Sequence, residues 1–309
     1  MPAEEKLRNP WLVAVWPGMG NVAISAGYYL MAKLGMHLLV EFPAAEFFEL
    51  EQIEVKDGLI LNKRLPRSRL FLWNDPKHEH DLIVFIGEAQ PPARGGAFCR
   101  TLIDRAKSLG VERVFTFAAM ATPMRPKHDS RVFSAAIDRE TLANFNQLGL
   151  QSLESGTISG LNGVLLAMAA GAGLPGGCLL GEIPQVFSQI PFPKASLAVL
   201  ESFCVMSSVA IDFHELQSHA ETVETTLEDF LIRMEEAIAI NEPRHPVAED
   251  APAAEGAPKP GPKEKSHLEQ LFSEARGDRS RAYELKQELD RLGLFDEYED
   301  RFLDLFREP

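Results

Sequence analysis

The stretch Trp16-Pro-Gly-Met-Gly-Asn-Val22 has the residue types and spacing of a phosphate-binding turn. It follows an apolar run and contains three candidate ligand-binding residues: Gly18, Gly20 and Asn21. With Ala23 the glycines form a G-x-G-x-x-A pattern, in which the backbone approaches a pyrophosphate and an acid about 20 residues later binds a ribose hydroxyl. Glu41 stands near that position. A tight strand-to-helix turn, with the helix capped by Asn21, explains the same residues without a ligand, so the pattern alone is weak evidence for dinucleotide binding.

A second glycine cluster, Ser155-Gly-Thr-Ile-Ser-Gly-Leu-Asn-Gly163, precedes another predicted helix. The unpaired N–H groups of a helix N-terminus could hold an anion there, which makes four residues candidates: Gly156, Gly160, Asn162 and Gly163. The cluster is not a P-loop, because Val164 stands where a lysine is needed. It is not a nucleophile elbow, because Thr157 rather than glycine precedes Ser159 by two positions. Close packing of the helix on the sheet is the simpler explanation.

Three carboxylates follow or end predicted strands: Glu41, Glu88 and Glu182. Open α/β sheets bind ligands beyond the carboxyl ends of their strands, so these acids are the candidate polar groups of a cleft. A solvated carboxylate at the end of a strand is the simpler explanation. No Ser/His/Asp or Cys/His arrangement is recognisable in the sequence, and we assign no catalytic residue.

Two groups of histidines resemble metal sites only superficially. The segment His78-Glu-His80-Asp81 fits an exposed turn before a strand. His214 and His219 are five positions apart, which on a helix places the second about 140° around the axis from the first, so one zinc ion cannot bind both. We therefore predict no metal site and no cofactor.

The composition is that of an ordinary globular protein. The 309 residues are 45% hydrophobic, enough for a substantial core, and the formal net charge is −14. Nucleic acids and anionic membranes attract clustered Lys and Arg, so we expect this chain to bind neither. The first ten residues lack the apolar stretch of a secretory signal, and the most apolar window, Leu161 to Gly181, is interrupted by Asn162 and Pro175. We expect a cytoplasmic protein without a membrane span and with three buried thiols, Cys99, Cys178 and Cys204.

Short apolar runs alternate with helix-period segments in the first 180 residues, the pattern of a largely parallel sheet covered on both faces. The predicted strands are Leu12–Trp16, Leu38–Phe42, Leu70–Trp73, Leu82–Gly87, Arg113–Phe117, Val132–Ile137 and Gly177–Leu180. The predicted helices are Asn21–Leu34, Ala93–Leu109, Arg139–Leu148, Asn162–Ala172, Lys194–Val209 and Leu216–Ile238. Some connections suit crossover helices and others suit hairpins, so we expect a mixed sheet.

The last of these helices carries a narrow apolar stripe at alternating steps of four and three: Leu216, Ala220, Val223, Leu227, Phe230, Met234 and Ile238. Such a stripe packs on the domain, the simpler explanation, or on a second copy of the chain.

Three parts are predicted along the chain. Residues 1–240 form the α/β domain. Residues 241–265 are rich in proline and alanine and almost free of large apolar side chains, so a disordered linker is predicted there. Residues 266–309 regain helical periodicity but have too few apolar residues for a core of their own. They form either a small charged helical module that docks on the main domain or on a partner, or a weakly folded tail.

Four segments, in this order, resemble the proteasome-assembly-chaperone-like family, the relatives of the second proteasome assembly chaperone, some of which are labelled ATP-grasp-like: Trp16-Pro-Gly-Met-Gly-Asn-Val22, Gly87-Glu88, Ser155-Gly-Thr-Ile-Ser-Gly-Leu-Asn-Gly-Val-Leu-Leu166 and Leu179-Leu-Gly-Glu-Ile-Pro184. The resemblance covers about Asn9 to Asn241. It implies a three-layer α/β/α fold similar to the purine nucleoside phosphorylases, assembly into a homo-oligomer, and protein binding rather than catalysis. Archaeal members bind proteasome subunits through a C-terminal hydrophobic-tyrosine-any-residue signature, which Leu305-Phe-Arg-Glu-Pro309 lacks.

The expected function is therefore that of a non-catalytic, homo-oligomeric, assembly-chaperone-like protein with an unidentified protein partner. The alternative is a phosphate- or nucleotide-binding enzyme or sensor that uses the glycine turns at 17–21 and 155–163. A third hypothesis is a structural scaffold whose C-terminal part recruits other proteins.

Overall fold

The computed structural model describes residues 7–43, 45–48, 54–56, 58–61, 64–77, 79–240 and 262–307. The described residues form these strands: β1 (Trp11–Val15), β2 (His37–Phe42), β3 (Glu54–Lys56), β4 (Leu59–Leu61), β5 (Ser68–Trp73), β6 (Leu82–Gly87), β7 (Arg113–Thr122), β8 (Val132–Ala136), β9 (Gln151–Ser152) and β10 (Gly176–Pro184). They also form these helices: α1 (Val22–Lys33), α2 (Gly95–Ser108), α3 (Arg139–Gln147), α4 (Gly160–Gly171), α5 (Pro193–Ser207), α6 (His214–Ile240), α7 (Pro262–Gly277), α8 (Ala282–Arg291) and α9 (Phe295–Leu303).

Eight of the strands form one sheet, in the order β2-β5-β6-β1-β7-β10-β8-β9. The pairs β1–β6, β1–β7, β7–β10 and β8–β9 are parallel. The pairs β2–β5, β5–β6 and β8–β10 are antiparallel. The predicted mixed, largely parallel sheet is therefore confirmed. Because β6, β1, β7 and β10 all run in the same direction, their carboxyl ends meet at one edge of the sheet.

Alternate side chains of the central strands enter two separate cores, one on each face of the sheet. On β1, Val13 and Val15 belong to the core that contains α1 and α5. Leu12 and Ala14 belong to the core that contains α2 and α4. Successive strand residues point to opposite faces, so a strand buried on both faces is apolar at every position. The result is the predicted three-layer α/β/α arrangement.

Two strands continue beyond their predicted ends. β10 pairs with β7 over nine residues, from Gly176 opposite Val114 to Pro184 opposite Thr122. Glu182 therefore lies inside a strand and is 1% exposed, so the expectation that it follows the strand was wrong. The hydrogen-bonded ladder with β7 keeps the chain extended beyond Leu180, the predicted end of the strand. β3, β4 and β9 had no predicted counterpart, because strands of two or three residues are too short to show a periodicity.

We call residues 262–307, which contain α7, α8 and α9, the C-terminal module. Its apolar side chains belong to the same core as α1. Residues 241–261 of the predicted linker lie outside the described residues, whereas residues 262–265 begin α7. On α6, Leu216 and Leu227 are buried, but Phe230 and Met234 are 52% and 44% exposed. The side chain of Ile238, the last residue of the apolar stripe, lies outside the described part of the chain.

Candidate functional site

The first glycine turn lies at the carboxyl edge, directly after β1. Gly20 has a φ of +60°, and its backbone is bound on both sides: its N–H donates to the Ser188 carbonyl at 2.8 Å and its carbonyl accepts from Phe192 N–H at 2.9 Å. Gly18 is exposed, and a Cβ added there would contact nothing within 4 Å. Asn21 has a φ of +49° and makes no side-chain hydrogen bond to α1. Asn21 thus occupies the predicted N-cap position, but its side chain does not cap the helix, because a left-handed backbone replaces the extended one that a capping residue uses.

The second glycine turn lies at the start of α4. Gly160 has a φ of +71°, which favours glycine, and Gly156 has a φ of +154°. A Cβ on Gly163 would lie 2.1 Å from the Ile158 carbonyl oxygen, so glycine is needed here for close packing of the backbone. Asn162 is half-buried, and its Oδ1 has no hydrogen-bond partner among the described residues. Outside the turn lies an open groove of about 630 Å³, whose lining includes Gly156, Thr157 and Gly163.

A glutamine joins the two glycine turns. Gln90, which follows β6, donates from Nε2 to the Pro17 carbonyl at 3.2 Å. Its Oε1 accepts the N–H of Leu161 in the first turn of α4 at 3.0 Å. The structure thus brings together the two turns that were predicted separately, and a protein side chain occupies a helix amide that an anion would use. Sequence reasoning missed Gln90, although it stands two residues after the predicted Glu88.

Glu88 follows β6 as predicted and is surrounded by arginines. Its Oε1 accepts from Arg69 Nη1 at 2.7 Å, and its Oε2 accepts the backbone N–H of Arg67 at 2.8 Å. Arg64 also pairs with Oε2. Arg69 is only 2% exposed, so the pair it forms with Glu88 neutralises a buried charge.

Glu41 and Glu182 are each held by one arginine. The two oxygens of Glu41 accept from Nε and Nη2 of Arg67, both at 2.6 Å, and this hydrogen bonding holds the pKa of Glu41 below its usual value. Arg131 Nε donates to Glu182 at 2.7 Å and Thr122 Oγ1 donates at 2.7 Å. The hydrogen bonds from Arg131 are the main cause of a lowered pKa at Glu182.

The three candidate acids therefore do not share one cleft. Glu41 and Glu88 meet around Arg67. Glu182 belongs to β10, three strands away from β6 in the sheet. Sequence reasoning missed the arginines that bind these acids. Three of them stand within one six-residue segment of an otherwise acidic chain, and this clustering was the available signal: Arg64, Arg67 and Arg69.

Two histidines of the candidate metal groups, His80 and His219, contact aromatic residues of the core. His80 stacks on Trp11 with ring centroids 4.3 Å apart, and its Nε2 lies 2.7 Å from the Ser207 carbonyl oxygen. His219 Nδ1 lies 3.3 Å from the Tyr283 hydroxyl. His78 lies outside the described residues. In the part of the chain that the structure describes, no group of three His, Cys, Asp or Glu residues could hold a metal ion.

Apolar side chains are exposed beside the first glycine turn. We call Met19, Val186 and Ile190 the apolar rim; they are 44%, 69% and 41% exposed. The hydrogen bond from the Gly20 N–H to the Ser188 carbonyl joins the two loops that carry these side chains. Phe230 of α6 continues this surface, since its ring contacts that of Phe187 at 6.1 Å.

The fold and its carboxyl edge define a three-layer α/β protein with a mixed sheet and an exposed apolar surface. The model of the PAC2 family matches residues 12–231, most of the chain, and the chain belongs to the PAC2 family. The C-terminal module lies outside the matched residues. No helix among the described residues is both long and apolar enough to cross a membrane.

Several relatives match this chain over nearly their whole length, two of them in structure and one in sequence. Pyrococcus furiosus PbaB, an archaeal proteasome activator, is 22% identical with a TM-score of 0.62, and the match covers 74% of this chain and 95% of PbaB. A proteasome-assembly chaperone homologue of Mycobacterium tuberculosis is 24% identical with a TM-score of 0.61, over 71% of this chain and 94% of that one. An uncharacterised protein of Methanocaldococcus jannaschii is 27% identical over 257 residues, which cover 80% of this chain and 92% of the relative.

Proposed function

We propose that this chain is a non-catalytic, protein-binding protein with an assembly-chaperone-like role in the cytoplasm. Membership of the PAC2 family supports this function, as do the names of its structural relatives, a proteasome activator and a proteasome-assembly chaperone homologue. A proteasome subunit is accordingly the first partner to test. In this proposal residues 1–240 are the binding domain, residues 241–261 are a linker, and the C-terminal module, which begins with α7 at Pro262, is appended to them.

The observation that carries the proposal is the apolar rim. Val186 is 69% exposed, and Met19 and Ile190 lie on the adjoining loops. Apolar side chains that are clustered and exposed at one edge mark a protein-interaction site more often than isolated ones do. The candidate acids nearby are engaged with arginines, as Glu182 is with Arg131, which supports binding rather than acid–base chemistry.

Substitution of one rim residue tests this role. We expect Val186→Asp to reduce capture of a proteasome subunit from the protein's own lysate by at least tenfold. Binding would bury the new carboxylate at the contact without a charged partner, which is unfavourable. Tagged protein and quantitative mass spectrometry would measure the capture.

Val205→Asp is the matched control. Val205 is the same residue type, is 68% exposed and lies on α5, so its substitution should leave capture unchanged. Equal losses in the two variants, or capture of no proteasome subunit by the unmodified chain, would contradict the proposed role.

The alternative function is binding of a phosphate-bearing small molecule. It is supported by the groove of about 630 Å³ beside the second glycine turn, into which Gly156 and Thr157 face. The candidate residues of both turns remain part of this alternative: Gly18, Gly20, Asn21, Gly156, Gly160, Asn162 and Gly163. Glu41, Glu88 and Glu182, the predicted polar groups, do not line this groove, and the carboxylate in its lining is that of Glu154.

A thermal-unfolding screen tests the alternative with inorganic phosphate, ATP, NAD and nucleosides. A ligand at 100 times its Kd stabilises the native state by about 2.7 kcal/mol. We expect Thr157→Ala, at the groove, to reduce such a shift, and Thr101→Ala, half-buried on α2 and outside the groove, to preserve it. A screen without any shift at millimolar ligand would eliminate this function.

A further inference from the structure

The C-terminal module covers an aromatic face of the main domain. Tyr28 and Tyr29 on α1 and Phe71 on β5 are all buried. The ring of Tyr28 contacts those of Phe295 and Phe302 on α9, with centroids 5.3 Å and 5.7 Å away. The other two rings contact the module at 4.5 Å and 6.1 Å, in the pairs Tyr29–Tyr283 and Phe71–Phe306. These rings would be exposed to water if the module left.

Three arginines give the same face a positive charge. They converge on Asp300 of α9 at 2.7, 2.9 and 2.6 Å, in the order Arg64, Arg67 and Arg69. The described part of the main domain supplies two carboxylates to them, those of Glu41 and Glu88. Without Asp300 the face therefore has three positive and two negative charges, in a chain whose net charge is −14. A local positive excess in an acidic protein selects an acidic partner.

The sequence of α9 complements this face. Two adjacent carboxylates, Glu299 and Asp300, are flanked by the aromatic rings of Phe295 and Phe302. The Tyr28 hydroxyl donates a hydrogen bond to Glu299 at 2.9 Å, while Asp300 accepts hydrogen bonds from Arg67 and Arg69. An aromatic surface with a hydroxyl and three guanidinium groups is thus matched by rings and two carboxylates on one helix.

The face belongs to the family domain and the module does not. The match to the PAC2 family ends at residue 231, while Tyr28, Arg69, Phe71 and Glu88 all lie within it. The module therefore covers a surface of the family domain, although the residues that match the family do not include the module.

We propose that the α1–β5 face, formed by Tyr28, Tyr29, Phe71 and the three arginines, is a second docking surface, separate from the apolar rim. Its occupant in a complex is a partner helix that carries, between aromatic side chains, a carboxylate for the arginines and an adjacent hydrogen-bond acceptor for the Tyr28 hydroxyl. The C-terminal module holds this surface as an internal competitor, and the partner binds by displacing it. Because the module is covalently attached, it competes at a high effective concentration and excludes poorly matched helices.

Competition with a synthetic copy of the module tests this proposal in the full-length chain. A fluorescent peptide of residues 262–307 is the probe, and fluorescence anisotropy measures its binding. We expect Asp300→Asn in the protein to weaken the chain's own module, since three arginines lose a charged partner, and to increase the affinity for the peptide at least tenfold. The peptide carrying Asp300→Arg should not bind, because it places a fourth cation among the arginines.

Two further variants keep the result decisive. Asp296→Asn, exposed on the same helix, should leave peptide binding as it is in the unmodified chain. Glu299→Gln in the protein should make the internal module harder to displace at pH 8. The proposal is overturned if the peptide binds no variant, if Asp296→Asn and Asp300→Asn act equally, or if the Asp300→Arg peptide binds as well as the original.

Discussion

Carboxylates at strand ends were the residues that sequence reasoning selected, and the structure gives each of them an arginine. Glu88 is paired with the buried Arg69, and Glu182 with Arg131. Burial of a charged group is costly unless another charge and hydrogen bonds compensate for it, which explains why arginine accompanies these acids. The positions of the acids were thus visible in the sequence, but their partners were not.

One carboxylate in the C-terminal module differs from these pairs. Burial raises the pKa of Glu299 to about 7, and the negative charge of Glu88 adds to the effect. The Tyr28 hydroxyl, Arg64 and Arg69 oppose the shift. Docking therefore favours the protonated form, whose contribution is complete below the usual pKa of 4.5 and is lost as the pH rises through about 7.

We expect docking of the C-terminal module to weaken between pH 5 and pH 8. The pKa of Glu299 predicts a loss of about 2 kcal/mol, or tens-fold in the docking equilibrium. Glu299→Gln should remove this dependence because it cannot ionise. Cleavage within the module by a protease reports the undocked population when opening is fast. The ratio of cleavage rates, unmodified chain over Glu299→Gln, should rise tens-fold over this range, and a constant ratio would contradict the expectation.

At the scale of elements, the central strands were predictable because each contains a run of mainly apolar residues. The helices that follow them were predictable because their apolar residues recur with the helical period over several turns. The runs at β1 and β6 are buried on both faces, and the prediction for Leu82–Gly87 matches β6 at both ends. The end of β10 was missed because its ladder with β7 depends on residues more than 60 positions away in the chain. Gln90 was missed for the same reason, since its partners, Pro17 and Leu161, come from distant segments.

The apolar stripe of helix α6 was expected to pack either on the domain or on a second copy of the chain, and different parts of the helix fit each expectation. Leu216 and Leu227 pack in the core of the domain, whereas Phe230 and Met234 remain exposed near its end. Exposed apolar residues at helical spacing favour contact with a second copy of the chain, and this supports the expected homo-oligomer.

We therefore expect Met234→Asp to shift the protein toward its monomer mass of 34.3 kDa in sedimentation velocity. The charge would have to be buried at the contact between copies, which costs several kcal/mol. Val205→Asp, on the exposed side of α5, should leave the sedimentation unchanged. A monomeric unmodified chain would show that the exposed end of α6 has another role.

At the scale of the whole molecule, the structure decides where the last segment of the chain belongs. The sequence allowed docking on the main domain, docking on a partner or a weakly folded tail. The aromatic contacts of Tyr28 and the ion pairs of Asp300 place the module on α1 and β5. With too few apolar residues for its own core, the module completes one by sharing that of the domain.

The sequence by itself determined the fold class, the order of most elements and the family, because these follow from local periodicity and from short glycine segments such as residues 16–22 and 155–163. Only the tertiary structure decided which polar groups meet. Gln90 joins the two glycine turns, and Asp300 joins three arginines more than 230 positions earlier in the chain. Such contacts depend on how the strands are ordered and on which helix covers which face, and neither is encoded in the spacing of neighbouring residues.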